Sequence, residues 1–186
     1  MARDYLVASM FPMTHICRFV GIVLATTIAV RAEPRIASES PSEIRPANVE
    51  ITGRGFEIHV LRKGAVAFRM RTYLWSDVPA SVDGLRYTQM AGGGTATIHL
   101  KAKEVGRVYV AIAANQMLDL KEKGWILPMP DRSNTFTYSD ANQTIMVVLS
   151  REVEEGQELD IPQLGWTGTI LLLPAKSRGG EVTPAA

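Results

Sequence analysis

Cysteine is almost absent from this chain of 186 residues: Cys17 stands alone. A disulfide framework is excluded, and so is a zinc site built on paired cysteines. Histidine is scarce as well, with His15, His59 and His99 the whole supply, and no two stand at the spacing of a helical zinc pair. Charge of one sign is also missing. Twenty Lys and Arg face 19 Asp and Glu, a formal net charge of +1, so no strong field exists to gather nucleic acid or an anionic membrane surface. Finally, no apolar run reaches the roughly 18–20 residues that a membrane-spanning helix needs.

What the N-terminus does contain is the order of an export signal. A weakly basic stretch with Arg18 precedes an apolar run from Phe19 to Val30, and Val30-Arg31-Ala32 ends in a small residue before Glu33-Pro34. Secretory signals combine a basic start, an apolar core of about 7–15 residues and small residues at the cut. Residues 1–32 are therefore expected to be a signal peptide cleaved near Ala32, giving a secreted or periplasmic protein. Cys17 lies before the apolar run, whereas a lipid-anchoring cysteine follows one, so no stable membrane anchor is expected. Met13 begins a more conventional signal than Met1, which leaves the start codon open.

Residues 33–50 are rich in Pro, Ser, Glu and Arg and show no period of 2 or 3.6, which predicts a flexible linker. Residues 176–186, with Gly179-Gly180, predict a disordered tail. Between them, 51–175 carries short runs of Val, Ile, Tyr, Thr and Phe punctuated by Gly, Pro, Asn and Asp. That is the pattern of an all-β domain. Strands are expected near 56–61, 65–69, 85–89, 95–102, 107–113, 135–138, 144–151 and 167–173, with Lys103–Gly106 as a hairpin-length turn. In 95–100, Ala96, Ile98 and Leu100 share one face, while Thr95, Thr97 and His99 share the other. Ile170–Leu173 is apolar throughout, as suits a strand covered on both sides. An antiparallel two-sheet β-sandwich holds both kinds of strand. Residues 116–124 read as one short helix stopped by Lys123-Gly124.

No catalytic constellation is legible in this segment. A serine-type hydrolase needs a histidine beside its nucleophile, yet neither His59 nor His99 adjoins a Gly-x-Ser-x-Gly elbow. Gly92-Gly93-Gly94 lacks the Lys-Ser/Thr of a phosphate loop and precedes a strand instead of a helix. Glu154-Glu155 sits before Gly156 in a turn, where carboxylates are merely solvated. No metal ligands, cofactor or catalytic residues are assigned.

The aromatic residues remain. The apolar C–H face of a sugar packs on an indole or phenol, and its hydroxyls need polar partners nearby. Tyr73 and Trp75, with Arg71 close in sequence, and Trp125 after the helix stop are the candidate carbohydrate contacts. Trp166, between Gly165 and Gly168, reads as structural.

The series Tyr73-Leu74-Trp75-Ser76-Asp77-Val78-Pro79, Gly84-Leu85-Arg86-Tyr87-Thr88-Gln89, Gly106–Ala111, Gly124-Trp125 and Ser150–Gln157 resembles an accessory β-sandwich module of secreted bacterial proteins. Such modules often stand beside sialidase-like or other polysaccharide-degrading domains. The resemblance implies a non-catalytic domain tied to extracellular carbohydrate, without a defined set of ligand residues. A polysaccharide or other glycan is the first expected partner. The alternative is a structural or protein-interaction module that partners a secreted enzyme through a sheet face or edge.

Overall fold

The computed structural model describes residues 44–92, 96–128 and 135–175. The expected signal and C-terminal tail lie outside them. The described chain is mostly β, with ten strands in two antiparallel sheets and one short helix.

The smaller sheet has the order β1-β5-β9, formed by Val49–Arg54, Thr97–Ala102 and Glu158–Asp160. β5 shows the expected alternation: Ile98, Leu100 and Ala102 are buried, while Thr97, His99 and Lys101 face outward. β1 begins ahead of the expected boundary at Ile51, and Ile44 and Ala47 before it are already buried. Gly53 and Gly55, both at positive φ, then turn the chain toward the other sheet. At Gly53 a β-carbon would lie 1.9 Å from the Thr97 carbonyl oxygen, so this crossing requires glycine.

The larger sheet has the order β2-β4-β10-β6-β8-β7-β3. Its strands are Phe56–Val60 (β2), Trp75–Ser76 (β3), Arg86–Met90 (β4), Gly106–Ala113 (β6), Thr135–Tyr138 (β7), Ile145–Val153 (β8) and Ile170–Leu173 (β10). All four residues of β10 are buried, as its unbroken apolar run predicts. β10 lies between β4 and β6, with Leu172 opposite both Tyr87 and Tyr109.

This sheet curls. Residues 65–69, expected as a regular strand, instead serve as a strap between its two ends. Trp75 N–H donates to the Ala65 carbonyl and Ala67 N–H to the Tyr73 carbonyl, at 2.9 and 2.8 Å. Arg69 N–H then donates to the Met90 carbonyl at the end of β4, at 2.9 Å. The Val66 carbonyl accepts from the Tyr87 hydroxyl at 2.8 Å and from Gln89 Nε2 at 2.6 Å. Within the curl, Trp75 packs on Phe136, Tyr87 and Phe68 with ring centroids 5.1, 5.8 and 5.8 Å away. The inward residues of β5 belong to the same continuous core.

Three local expectations are corrected. Lys103–Gly106 is no hairpin, because β5 pairs with β1 and β9 while β6 pairs with β10 and β8. The chain crosses there between sheets, as it does again between β8 and β9. The expected helix over 116–124 is a 3-10 turn, Ala114–Gln116, followed by α1, Met117–Lys121. Gly124 ends it at positive φ, the stop that the sequence signals. β10 starts at Ile170 instead of Thr167, because residues 162–169 form a pinned loop.

Candidate functional site

Trp75 and Trp125 do not reach solvent. Their residues are 1% and 2% exposed. Trp75 points inward because β3 lies against β7, with Trp75 opposite Tyr138. Trp125 follows the α1 stop, donates its backbone N–H to the Leu120 carbonyl at 3.2 Å and joins the core beside that buried leucine. Neither indole offers a free face to a sugar, so both proposed contacts are corrected to core anchors.

The exposed tryptophan is Trp166, with 42% of its surface open. The sequence argument missed it because flanking glycines read as a structural turn. Those glycines hold the ring outward: Gly165 and Gly168 take φ of +57° and +63°. Gln163 fastens the loop, its amide nitrogen donating to the Thr169 carbonyl at 3.2 Å and its oxygen accepting from Thr169 N–H at 3.1 Å. Gln116, at the end of the 3-10 turn, fastens its crest. With the amide oriented as its partners require, it donates to the Leu164 carbonyl at 3.1 Å and accepts from Gly165 N–H at 3.2 Å.

Arg71 and Tyr73 meet Trp166 from the loop that follows the strap. The Arg71 guanidinium carbon lies 5.5 Å from the indole centroid, a cation–π arrangement. The Tyr73 ring is 6.2 Å from the same indole at 62°. Beneath them, buried Phe68 meets Trp166 edge-on at 5.6 Å, and Tyr138 joins Tyr73 at 5.7 Å. An aromatic chain thus runs from the core at Trp75, through Phe68 and Tyr138, to the surface at Trp166. Gly92 completes the floor, and a β-carbon there would lie 2.8 Å from both Arg71 Cγ and the indole edge. Met70, at φ +59° and 88% exposed, stands next to Arg71 at the tip.

This arrangement can do what the sequence argument sought from other tryptophans. An aromatic face, a phenol and a cation stand together on the surface, and the loop carrying the indole is held by the hydrogen bonds of Gln163 and Gln116. Of the four predicted residues, Arg71 and Tyr73 are brought together, while Trp75 supports them from below and Trp125 shares no ring contact with them.

A concave surface lies on the outer face of the small sheet, across Glu50, Thr52, His99, Lys101, Glu158 and Asp160. Its charges pair off: Lys103 with Glu50, His99 with Asp160, and Lys101 with Glu158 at 3.2 Å. The hydrogen bond from Lys103 holds the Glu50 carboxyl below the usual range. A general acid for glycoside cleavage needs the opposite shift. Among the described residues, no group of three His, Cys, Asp or Glu is placed to hold a metal ion, and no helix is long and apolar enough to cross a membrane.

The fold defines a mostly-β protein of two antiparallel sheets, the larger one curled. No family model and no curated protein matches the chain. Among solved structures it is similar to a GH138 enzyme targeting pectin rhamnogalacturonan II, with a TM-score of 0.50 and 16% identity over 74% of this chain. The likeness spans 17% of the enzyme's own length, and at this identity it concerns the fold alone.

Proposed function

We propose that this chain is an exported, non-catalytic module that binds extracellular carbohydrate through Trp166, Tyr73 and Arg71. The observation that carries the reading is the exposure of Trp166 on a loop fixed from both sides by Gln116 and Gln163. The part of this large apolar ring that is held open to water on a fixed loop costs solvation, and occupation by a sugar face offsets that cost.

The neighbouring fold supports the same reading. The GH138 structure is named for its action on a pectic polysaccharide, and this chain corresponds to a small share of it. That relation suits an accessory module of the kind the sequence resembles, its two sheets serving as the layers of a sandwich and its partner a secreted polysaccharide-degrading enzyme. Export with cleavage after Ala32 brings the module to its ligand.

Retardation of the purified chain in native gels containing plant, algal and animal polysaccharides tests the reading. Parent and Trp166→Ala are run side by side. Slowing of the parent by at least one polymer, lost in the folded variant, is the expected result. Free migration of the parent through the whole panel rejects carbohydrate binding. It would favour the interaction reading, which draws on β2, an edge strand with Ile58 and Val60 exposed.

A further inference from the structure

We infer that the platform selects acidic sugars, with a uronate carboxylate on Arg71 and the apolar face of the ring on Trp166; the inference rests on the carbohydrate-binding reading above. Arg71 carries it. The side chain is exposed, and among the described residues no carboxylate pairs with it. Among the described residues its polar and ring contacts are the Trp166 ring and one long hydrogen bond, 3.4 Å, to the Gly92 carbonyl.

Other basic residues near carboxylates behave differently. Arg69, two positions earlier, is taken up by Glu57 at 2.6 Å, and Arg107 by Glu152 at 3.1 Å. Arg71 thus keeps most of its donor fork unused, while the indole limits where that fork can go. An arginine stacked on an aromatic ring is pre-organised for a planar, two-pronged acceptor, and a carboxylate is such an acceptor. A neutral sugar hydroxyl has neither the paired oxygens nor the negative charge of a carboxylate, so its contact with that fork is weaker.

With a net charge of +1, the chain offers no general attraction to polyanions, so selectivity has to come from this one site. Because one cation is involved, the preference should survive physiological salt, unlike adsorption on a basic surface.

The test compares polygalacturonate with the same polymer after reduction of its carboxyl groups to neutral alcohols. Retardation of the full chain is measured at about physiological ionic strength. Parent, Arg71→Gln and Lys63→Gln are compared, the last removing an exposed charge on another loop. The acidic polymer is expected to bind the parent about tenfold more tightly than the reduced one, the size of one charge-assisted contact. Arg71→Gln should erase the difference and leave the weak binding common to both polymers, while Lys63→Gln keeps the parental preference. Equal retardation by both polymers overturns acid selectivity, a preference that persists in Arg71→Gln overturns its assignment to Arg71, and either result leaves carbohydrate binding intact. Should neither polymer nor any neutral polysaccharide slow the parent, the platform reading itself falls.

Discussion

Arg71 and Trp166 meet at 5.5 Å because Gly92, which floors their contact, has no β-carbon. The two come from loops far apart in sequence, one after the strap and one before β10. A methyl group at 92 would lie 2.8 Å from a carbon of each.

Gly92→Ala should therefore displace the exposed indole without unfolding the core. Both clashing groups are surface side chains that can move, so the cost in stability is expected to stay below about 1 kcal/mol. Polysaccharide retardation should fall severalfold. Near-ultraviolet circular dichroism, compared with thermal melting, separates a moved ring from a loosened fold.

Trp75 and Trp166 should part company under truncation. Trp75→Ala opens a cavity among Phe136, Tyr87 and Phe68, where comparable changes cost about 3–5 kcal/mol. Trp166→Ala removes a side chain that is 42% exposed, and about 1–2 kcal/mol is expected. Urea midpoints at equal m-value read the difference. Acrylamide should quench one tryptophan of three in the parent and lose that signal in Trp166→Ala.

The contrast marks where sequence reasoning carried and where it stopped. Period-2 alternation placed β5 and its faces, and the apolar run Ile170–Leu173 announced a strand buried on both sides. β1 alternates over its first four residues, but Pro, Ser and Glu just before it make Val49 and Glu50 read as the end of a linker. β3 is two residues long and has no period to detect. The direction of Trp75 follows from pairing with β7, a contact between distant segments that local pattern does not encode. Trp166 was misread for a related reason. Glycine at 165 and 168 signals a turn, but whether that turn buries or presents its tryptophan depends on Gln116, from another part of the chain. Arg71 and Tyr73 draw attention in the sequence because they lie beside Trp75, although the tryptophan whose ring both contact is Trp166.

Gln116 supplies a third prediction. Its amide bonds the Leu164 carbonyl and the Gly165 N–H, and a β-carbon at 165 would lie 1.5 Å from the end of that amide, so the loop and the amide fit without slack. Gln116→Ala leaves both backbone groups unpaired, at a cost of about 1–2 kcal/mol. Trp166 fluorescence anisotropy should fall, and carbohydrate affinity should drop with the ring still present. Unchanged anisotropy and affinity would mean that the loop holds its shape without this anchor.

Alkaline pH should weaken the fold through two phenols. Burial pushes Tyr87 above its ordinary pKa, an effect that hydrogen bonding by Gln89 offsets in part, and burial likewise raises Tyr138. The folded chain therefore holds these protons more tightly than the unfolded chain, whose tyrosines titrate near about 10. Stability from this source is complete below that value and declines as pH rises through it toward the folded-state pKa. Melting temperature should accordingly hold level from neutral pH to about 9.5 and fall beyond it. Tyr87→Phe loses the hydrogen bond to the Val66 carbonyl, about 1 kcal/mol at neutral pH, although Gln89 still serves that carbonyl at 2.6 Å. In return its alkaline decline should be shallower than the parent's. Parallel curves for parent and variant above pH 10 would mean that Tyr87 gives up its proton as readily in the folded chain as in the unfolded one and that another group drives the loss.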